Sequence, residues 1–519
     1  MGERLIFARK ASGLIRELTP FDVIAWAIAA PAVTGFLYFA PRTMYIYSAG
    51  GITISYVLAF LLVLPILVVV ALAVSAMPRA GGIFPIMSRV FPPSLTFFFA
   101  WIYIIGYGFV IGVLCCVTAI MLGSSLLLYG TISGSGGAIA AGSWVLSKTG
   151  ISVVAIGLII LCWGLTSLGA RVVKWFERIL FIIPLAILGV LLVLIGIHSG
   201  AAYPAVFDKI WGAGVAEAII AKASELGYTT PALSWNKVYS ALIVTIFSYG
   251  GFEIISHVSG EVKSPKRSLL YGYVLGFVLT MVLYVIVAAV IWSIQGFVNP
   301  YSFLYYEHPD ALAEIMPSPP EPSLLLFAAS ASKYMAFILP PFIVLWLIKS
   351  IVPCFVGVSR VAFSLAMDRL FPIRFAGVNR FGAPSWSSHM IAILSLVGVY
   401  VFTMNVTAVL ALLTWAGFCP FWLFSLGMLM FPFVRKEIFE KTPIQWRVAG
   451  FPVISIVGFI AMASSFFIFC YTLTEVPMGA IPVIILLIAI GMIIHCYQTV
   501  KNEKEGISYA DIYAELPPE

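Results

Sequence analysis

Charge is what this chain has least of. Only 10% of its 519 residues are Asp, Glu, Lys or Arg, where ordinary soluble domains carry about 25%. So little polar surface cannot cover a water-exposed fold of this length. Histidine is rarer still, at five residues, and no H-E-x-x-H pair occurs. There is no G-x-S-x-G nucleophile elbow and no acidic cluster either, so hydrolytic and metal-assisted chemistry lack their usual residues, and neither cofactor nor metal ion is expected. The seven cysteines (Cys115, Cys116, Cys162, Cys354, Cys419, Cys470, Cys496) fall in apolar runs and form no C-x-x-C pair; they read as small packed side chains. The first apolar run lacks a small-residue cleavage site and reads as a span rather than a signal peptide.

Apolar length is what the chain has in excess: 62% of residues are hydrophobic and the mean hydropathy is +1.07. Runs long enough to cross about 30 Å of hydrocarbon fall at 22–41, 52–76, 95–122, 151–169, 178–198, 237–257, 269–295, 335–358, 388–404, 408–431, 452–473 and 478–498. The expected class is an all-α polytopic membrane protein with 12 transmembrane helices. If the first residues are cytoplasmic, one side of the membrane carries only Arg42, Lys148, Lys209, Lys222 and Lys237, while Lys333 and Lys349 lie in or beside span 8. The rest of the 29 Lys and Arg face the cytoplasm. That asymmetry is the positive-inside pattern, and it places both termini in the cytoplasm of a cell-membrane protein. It also accounts for the net charge of +7, so the lipid bilayer, and no nucleic acid, is the expected surrounding.

Two spans are interrupted. Span 1 carries Pro31 and Gly35 in its middle, and span 6 carries Gly250-Gly251 followed by Glu253. A helix interior loses about 1 kcal/mol per glycine, and a charge at bilayer depth costs at least about 2.5–3.5 kcal/mol. One reading is a proline kink and close glycine packing. The other is that both helices break near the midplane, at corresponding positions of two halves, which is the sequence pointer to a substrate site between inverted repeats. The matching depth and the attached carboxylate favour the second. Five spans per half is an odd number, so the second half enters the membrane upside-down. The division is then an N-terminal segment (1–21), a first repeat (22–198), an outer loop (199–236), a second repeat (237–431), two further spans (452–498) and a cytoplasmic tail (499–519) that reads as polar and flexible. The outer stretches 199–236 and 297–322 read either as lids or as passive caps.

Three segments facing the cytoplasm carry a resemblance. "PRAGGIFPIMSRVFP" looks like a P-R-A-G-G-x-Y motif after span 2. "FSYGGFE" with "GEVKSPKRS" resembles F-x-G-x-E in span 6 and the E-x-x-x-P-x-R that follows. "SRVAFSLAMDRLFP" with "VNRFGAPSW" is similar to an S-R-x-x-x-x-x-A-x-D-G-x-x-P block after span 8. In this order and at these distances they resemble the amino acid–polyamine–organocation (APC) permeases over residues 16–447 or more. The resemblance implies the LeuT-type five-plus-five inverted repeat of the sodium-coupled leucine transporter, with helices 1 and 6 broken and spans 11 and 12 added. It also implies secondary transport of amino acids or amines, as symporter or antiporter. The chain departs from the family at span 1, where Val33-Thr34-Gly35-Phe36-Leu37 stands in place of G-S-G-I-F and thins the glycine cradle for a carboxylate. Phe84 replaces the motif tyrosine.

A broken helix frees N–H groups on one half and C=O groups on the other. The half starting after Pro31, with Ala32, Thr34 and Gly35, would offer N–H groups to a substrate carboxylate. The carbonyls around Phe247, Ser248 and Tyr249, before Gly250 and Gly251, suit its ammonium. Thr34 and Ser248 either add hydroxyls or glue helices together, and Phe247 and Tyr249 either wall a pocket or pack in the core. Glu253 either caps backbone freed at the break or carries a proton, and the two roles are compatible. Lys349 lies eleven residues before Arg360, roughly 16 Å up a helix. It either snorkels to the cytoplasmic side, or pairs with a carboxylate, or is neutral, or stands as a fixed cation where this fold can hold sodium, which would make transport sodium-independent. His257, at the inner end of span 6, reads as interfacial rather than as a proton relay. The function expected is a secondary active transporter of a small-molecule substrate, proton-coupled or exchanging; the alternatives are a sodium-coupled symporter and a non-transporting sensor of the same fold.

Overall fold

The computed structural model describes residues 12–31, 38–197, 202–325, 333–402, 406–474, 476 and 481–514. Helix dominates, as hydrocarbon requires when every backbone polar group must find a partner inside its own segment. The first expected span is represented by α1 (Pro20–Ala29) and α2 (Ala40–Tyr47); 32–37, between them, lie outside the described residues. Then come α3 (Ala49–Ala76), the short α4 (Ile83–Met87), α5 (Pro93–Ser133), α6 (Gly136–Leu146), α7 (Lys148–Ser167) and α8 (Ala170–Ile197). The loop expected at 199–236 contains α9 (Ala202–Trp211) and α10 (Val215–Glu225). The sixth span is α11 (Trp235–Tyr249) and α12 (Ile254–His257), followed by α13 (Pro265–Ser293) and, in the second loop, α14 (Gln295–Glu307) and α15 (Pro309–Ile315). The remainder is α16 (Lys333–Met367), α17 (Ser385–Phe402), α18 (Val406–Val434), α19 (Lys436–Phe439), a small hairpin of β1 (Arg447–Val448) with β2 (Phe451–Pro452), α20 (Val453–Thr474), α21 (Ile481–Lys504) and α22 (Tyr509–Ala514). Eleven helical stretches among the described residues are long and apolar enough to cross a membrane.

The bundle is centred on α5, almost wholly buried, with α16 beside it. Small residues let helices close in. A Cβ on Gly112 of α5 would lie 2.1 Å from the Ser395 carbonyl oxygen of α17, and one on Gly398 would lie 2.5 Å from that of Phe109. That mutual notch is how helices associate where lipid removes the hydrophobic drive between them. By contrast α20 and α21 expose most of their apolar surface, as lipid-facing helices do.

Two sequence expectations change at the helix ends. The described part of the tail is folded: α21 continues to Lys504, and α22 packs back with Ile512 and Tyr513 buried and the Tyr513 ring 5.4 Å from the Arg89 guanidinium. An aromatic face over a buried cation holds a segment that composition alone describes as polar. The eighth helix starts at Ala170, so Glu177 stands two turns inside it and is 2% exposed, where the apolar run alone begins at 178.

Candidate functional site at the paired helix breaks

α1 starts on a capping box, with Thr19 and Asp22 satisfying each other's ends, and Arg178 of α8 closes on Asp22 at 2.6 Å. The helix ends at Ala29, and Ala30 and Pro31 follow as a turn. Across from it α11 ends at Tyr249 and helix resumes at Ile254. Gly250 has extended ψ and Gly251 has φ +93, a conformation that only glycine adopts without strain. A Cβ on Gly251 would lie 2.5 Å from the Ala30 carbonyl oxygen and 3.4 Å from the Pro31 nitrogen. The two interruptions therefore meet, backbone against backbone, and Gly251 is required twice, for its φ and for its lack of a side chain.

Beside this meeting point lies a cavity of about 30 Å³, lined among others by Ala30, Tyr107, Phe247, Gly250, Thr414 and Phe418. Its walls are mainly apolar, and its size suits water rather than an amino acid. Phe247 forms one wall, its ring edge-on to Phe39 at 5.6 Å. Of the expected site residues, Phe247 and Gly250 line the cavity, and Pro31 and Gly251 meet next to the lining residues Ala30 and Gly250. Ser248 and Tyr249 turn away. The Ser248 hydroxyl donates to the Val244 carbonyl at 2.8 Å, and Tyr249 packs among Tyr56, Phe277 and Tyr284, donating to the Tyr56 carbonyl at 3.1 Å. Ala32, Thr34 and Gly35 lie outside the described residues. The carbonyls expected to meet an ammonium already accept bonds: Phe247 from the Gly250 N–H at 2.9 Å, Ser248 from the Tyr284 hydroxyl at 2.6 Å, Tyr249 from the Phe252 N–H at 3.3 Å.

Glu253 is 1% exposed. Its Oε1 lies 2.7 Å from the Tyr103 hydroxyl oxygen, and Tyr107 of the same helix faces the carboxyl as well. His257, expected at the interface, is fully buried. Its Nε2 lies 2.8 Å from the Tyr103 oxygen, its Nδ1 lies 3.1 Å from the Gly81 carbonyl oxygen, and Phe84 stacks on the ring. The loop that follows is fastened by a two-bond pair of Arg360 with Glu261, at 2.8 and 3.3 Å.

Lys349 does not snorkel: it is 1% exposed, with Nζ 4.4 Å from the centre of the Phe181 ring and 5.6 Å from that of Trp346. Glu177 stands within electrostatic reach of it. Among the described residues neither the Lys349 ammonium nor either Glu177 carboxyl oxygen has a hydrogen-bond partner. Two buried groups of opposite sign, one on α8 and one on α16, are thus held near each other without closing a bond.

The profile of the amino acid permease family matches residues 18–499. The chain is 24% identical over 370 residues to the branched-chain amino acid permease BcaP of Bacillus subtilis (strain 168), covering 69% of each protein. It is 26% identical over 179 residues to the vacuolar cationic amino acid transporter 4 of Arabidopsis thaliana, which covers 34% of this chain and 27% of that one. It is also 22% identical over 327 residues to the methylthioribose transporter of Bacillus subtilis (strain 168), 60% of this chain and 64% of that one.

Proposed function

The chain belongs to the amino acid permease family, and from that premise we propose that it moves amino acids with apolar side chains by alternating access around the α1–α2 and α11–α12 breaks. The observation that carries this reading is the contact of Gly251 with Ala30 and Pro31 beside a cavity walled by Phe247 and Phe418. Broken helices at membrane depth are tolerated where they line a cavity. An apolar wall suits an apolar side chain, in keeping with the branched-chain amino acids for which the Bacillus relative is named. The substrate's carboxylate would go to N–H groups after Pro31, at Ala32, Thr34 and Gly35, and its ammonium to the span 6 break. Because the carbonyls at 247–249 are engaged, ammonium binding then requires either their second lone pairs or an opening of the break. Residues 22–198 and 237–431 act as the two inverted repeats.

Coupling is read as proton symport or exchange, with sodium dispensable. Glu253 carries the proton at the break, and Lys349 serves as a fixed cation in place of sodium, with Glu177 as its counter-charge. The face bearing the described ends of the chain, where Glu17, Arg89 and Tyr513 lie, is the cytoplasmic one, in keeping with its arginine and lysine content.

The test is uptake of radiolabelled isoleucine, leucine and valine into proteoliposomes under imposed proton or sodium gradients. A proton gradient or internal substrate should drive uptake, and sodium should leave it unchanged. Gly251→Ala should abolish it while the protein still inserts. Strong sodium dependence that survives in Lys349→Ala removes the fixed-cation reading, and ligand-induced thermal stabilisation without flux makes the protein a sensor rather than a transporter.

A further inference from the structure

Donors and acceptors along Glu253, Tyr103 and His257 do not balance unless one extra proton is present. A backbone carbonyl only accepts, so the Nδ1 of His257, 3.1 Å from the Gly81 oxygen, must carry hydrogen. In a neutral imidazole Nε2 is then an acceptor, and the Tyr103 hydroxyl, 2.8 Å away, donates to it. Tyr103 has a single hydrogen. Its other contact, 2.7 Å to Glu253 Oε1, is a bond only if the carboxyl is protonated and donates to the tyrosine oxygen. The alternative is an imidazolium: Nε2–H donates to Tyr103, and Tyr103 donates to an ionised Glu253. Both arrangements hold the same number of protons, and moving two hydrogens along the line converts one into the other. With the carboxylate ionised and the imidazole neutral, one of the three contacts must set two lone pairs against each other.

We infer that Glu253, Tyr103 and His257 form one proton-binding unit in which His257 sets how tightly the proton is held and ties its release to movement of the span 6 break. The inference rests on the reading of Glu253 as the proton carrier and adds two positioning residues to it. The groups facing this line are Tyr107 from α5, Tyr273 from α13 and Cys354 from α16, with the Phe84 ring over His257 from α4. The next acid, Glu261, is closed onto Arg360. When the proton leaves, the contact that breaks is Glu253 to Tyr103, Tyr103 to His257, or His257 to Gly81. Losing either of the first two takes one of the segment's bonds to the central helix α5, and losing the third takes one of its two bonds to the loop ahead of α4. Deprotonation therefore loosens the segment following the break from a neighbour. The His257 ring also completes a two-way clamp with that loop, because the Gly81 N–H donates to the His257 carbonyl at 2.9 Å.

Two substitutions are expected to move the proton affinity in opposite directions. His257→Asn keeps an N–H for the Gly81 carbonyl but removes Nε2. Tyr103 is then free to donate to an ionised Glu253, and the proton is held about one pH unit or more less tightly. Tyr103→Phe takes a donor from the ionised carboxylate and should move the titration upward by a similar amount. The full-length protein is titrated by infrared spectroscopy of the protonated carboxyl band, with Glu253→Gln identifying the band, and the pH dependence of uptake is measured alongside. Opposite shifts support the unit, whereas an unchanged midpoint in His257→Asn overturns it. If the pH dependence of uptake survives in Glu253→Gln, it is the reading of Glu253 itself that fails. Should either variant not fold, wild-type protein with isotope-labelled histidine decides: a buried histidine's ring bands must change in the same pH step as the carboxyl band, and a ring indifferent to that step refutes the proposal.

Discussion

The two faces of the bundle are held by different chemistry. On the face that carries Glu17, Arg89 and Tyr513, acids and bases close into ion pairs, those of Arg89 and Arg360 fully buried. Arg89 grips Asp368 through Nη1 and Nη2 at 2.5 and 3.2 Å, Arg360 holds Glu261 through Nε and Nη2, and Glu17 sits between Arg171 and Lys174. On the opposite face the joints are tyrosine hydroxyls and aromatic rings. Tyr45 donates to Glu307 at 2.7 Å, Tyr306 donates to Glu321 at 2.5 Å, and the Arg42 guanidinium lies 4.3 Å over the Tyr306 ring. Buried ion pairs are nearly all-or-none, because removing one partner strands a charge. Hydrogen bonds to tyrosine and cation–π contacts are individually smaller and come apart in steps. The difference implies one stiff face and one compliant face, so the two should open with different energetic profiles.

The comparison breaks most sharply at Asp368. Asp368→Ala should cost about 3–5 kcal/mol of stability by stranding Arg89, read from denaturant unfolding of the purified protein. Replacing both partners by Met and Leu should cost far less. If the single and double changes cost the same, the ion pair is not what stiffens this face. Next in size is Tyr306→Phe, expected to cost about 1–3 kcal/mol because Glu321 keeps its burial and loses a donor. A cost equal to that of Asp368→Ala would erase the contrast between the faces.

Two smaller effects sharpen it through pH. Burial pushes the Glu321 carboxyl up from 4.5 to about 7. The folded state then holds a proton that the unfolded state releases, so stability should decline as pH rises from about 4.5 to 7 and level off above. In Glu321→Gln that decline should shrink, as followed by melting temperature between pH 5 and 8. Glu17 runs the other way: bonds from Lys174 and Arg171 pull its carboxyl down from 4.5 to about 2. Its contribution is complete above pH 4.5 and fades as pH falls towards 2, so the stability gap between wild type and Glu17→Gln should close over that acid window.

Much of this was legible in the sequence, for reasons that can be stated. The apolar runs map onto the long helices because hydrocarbon leaves no other backbone solution. The span 6 break could be read at Gly250-Gly251 because two glycines inside an apolar run have little reason to be there except geometry, and Gly251 does take positive φ. Lys349 stood out as a charge at depth. Glu177 did not, because Lys174 and Arg178 beside it made the segment read as loop, and the acids that take up those two cations, Glu17 and Asp22, are more than 150 residues away in sequence. The link from Glu253 through Tyr103 to His257 joins residues about 150 apart in sequence, and a hydroxyl in an apolar run does not announce its partner. The docking of Tyr513 on Arg89 was hidden for the same reason.

Arg89 and Asp368 also impose an order in time. They are 279 residues apart, so at about 5–20 residues per second the arginine is made roughly 14–56 s before its counter-ion. Through that interval it can be held by its own neighbourhood, with Nη1 donating to the Ser88 hydroxyl at 2.6 Å and to the Pro85 carbonyl at 3.1 Å. The Tyr513 ring comes later still. This buried pair therefore stays open until the chain has been made as far as Asp368.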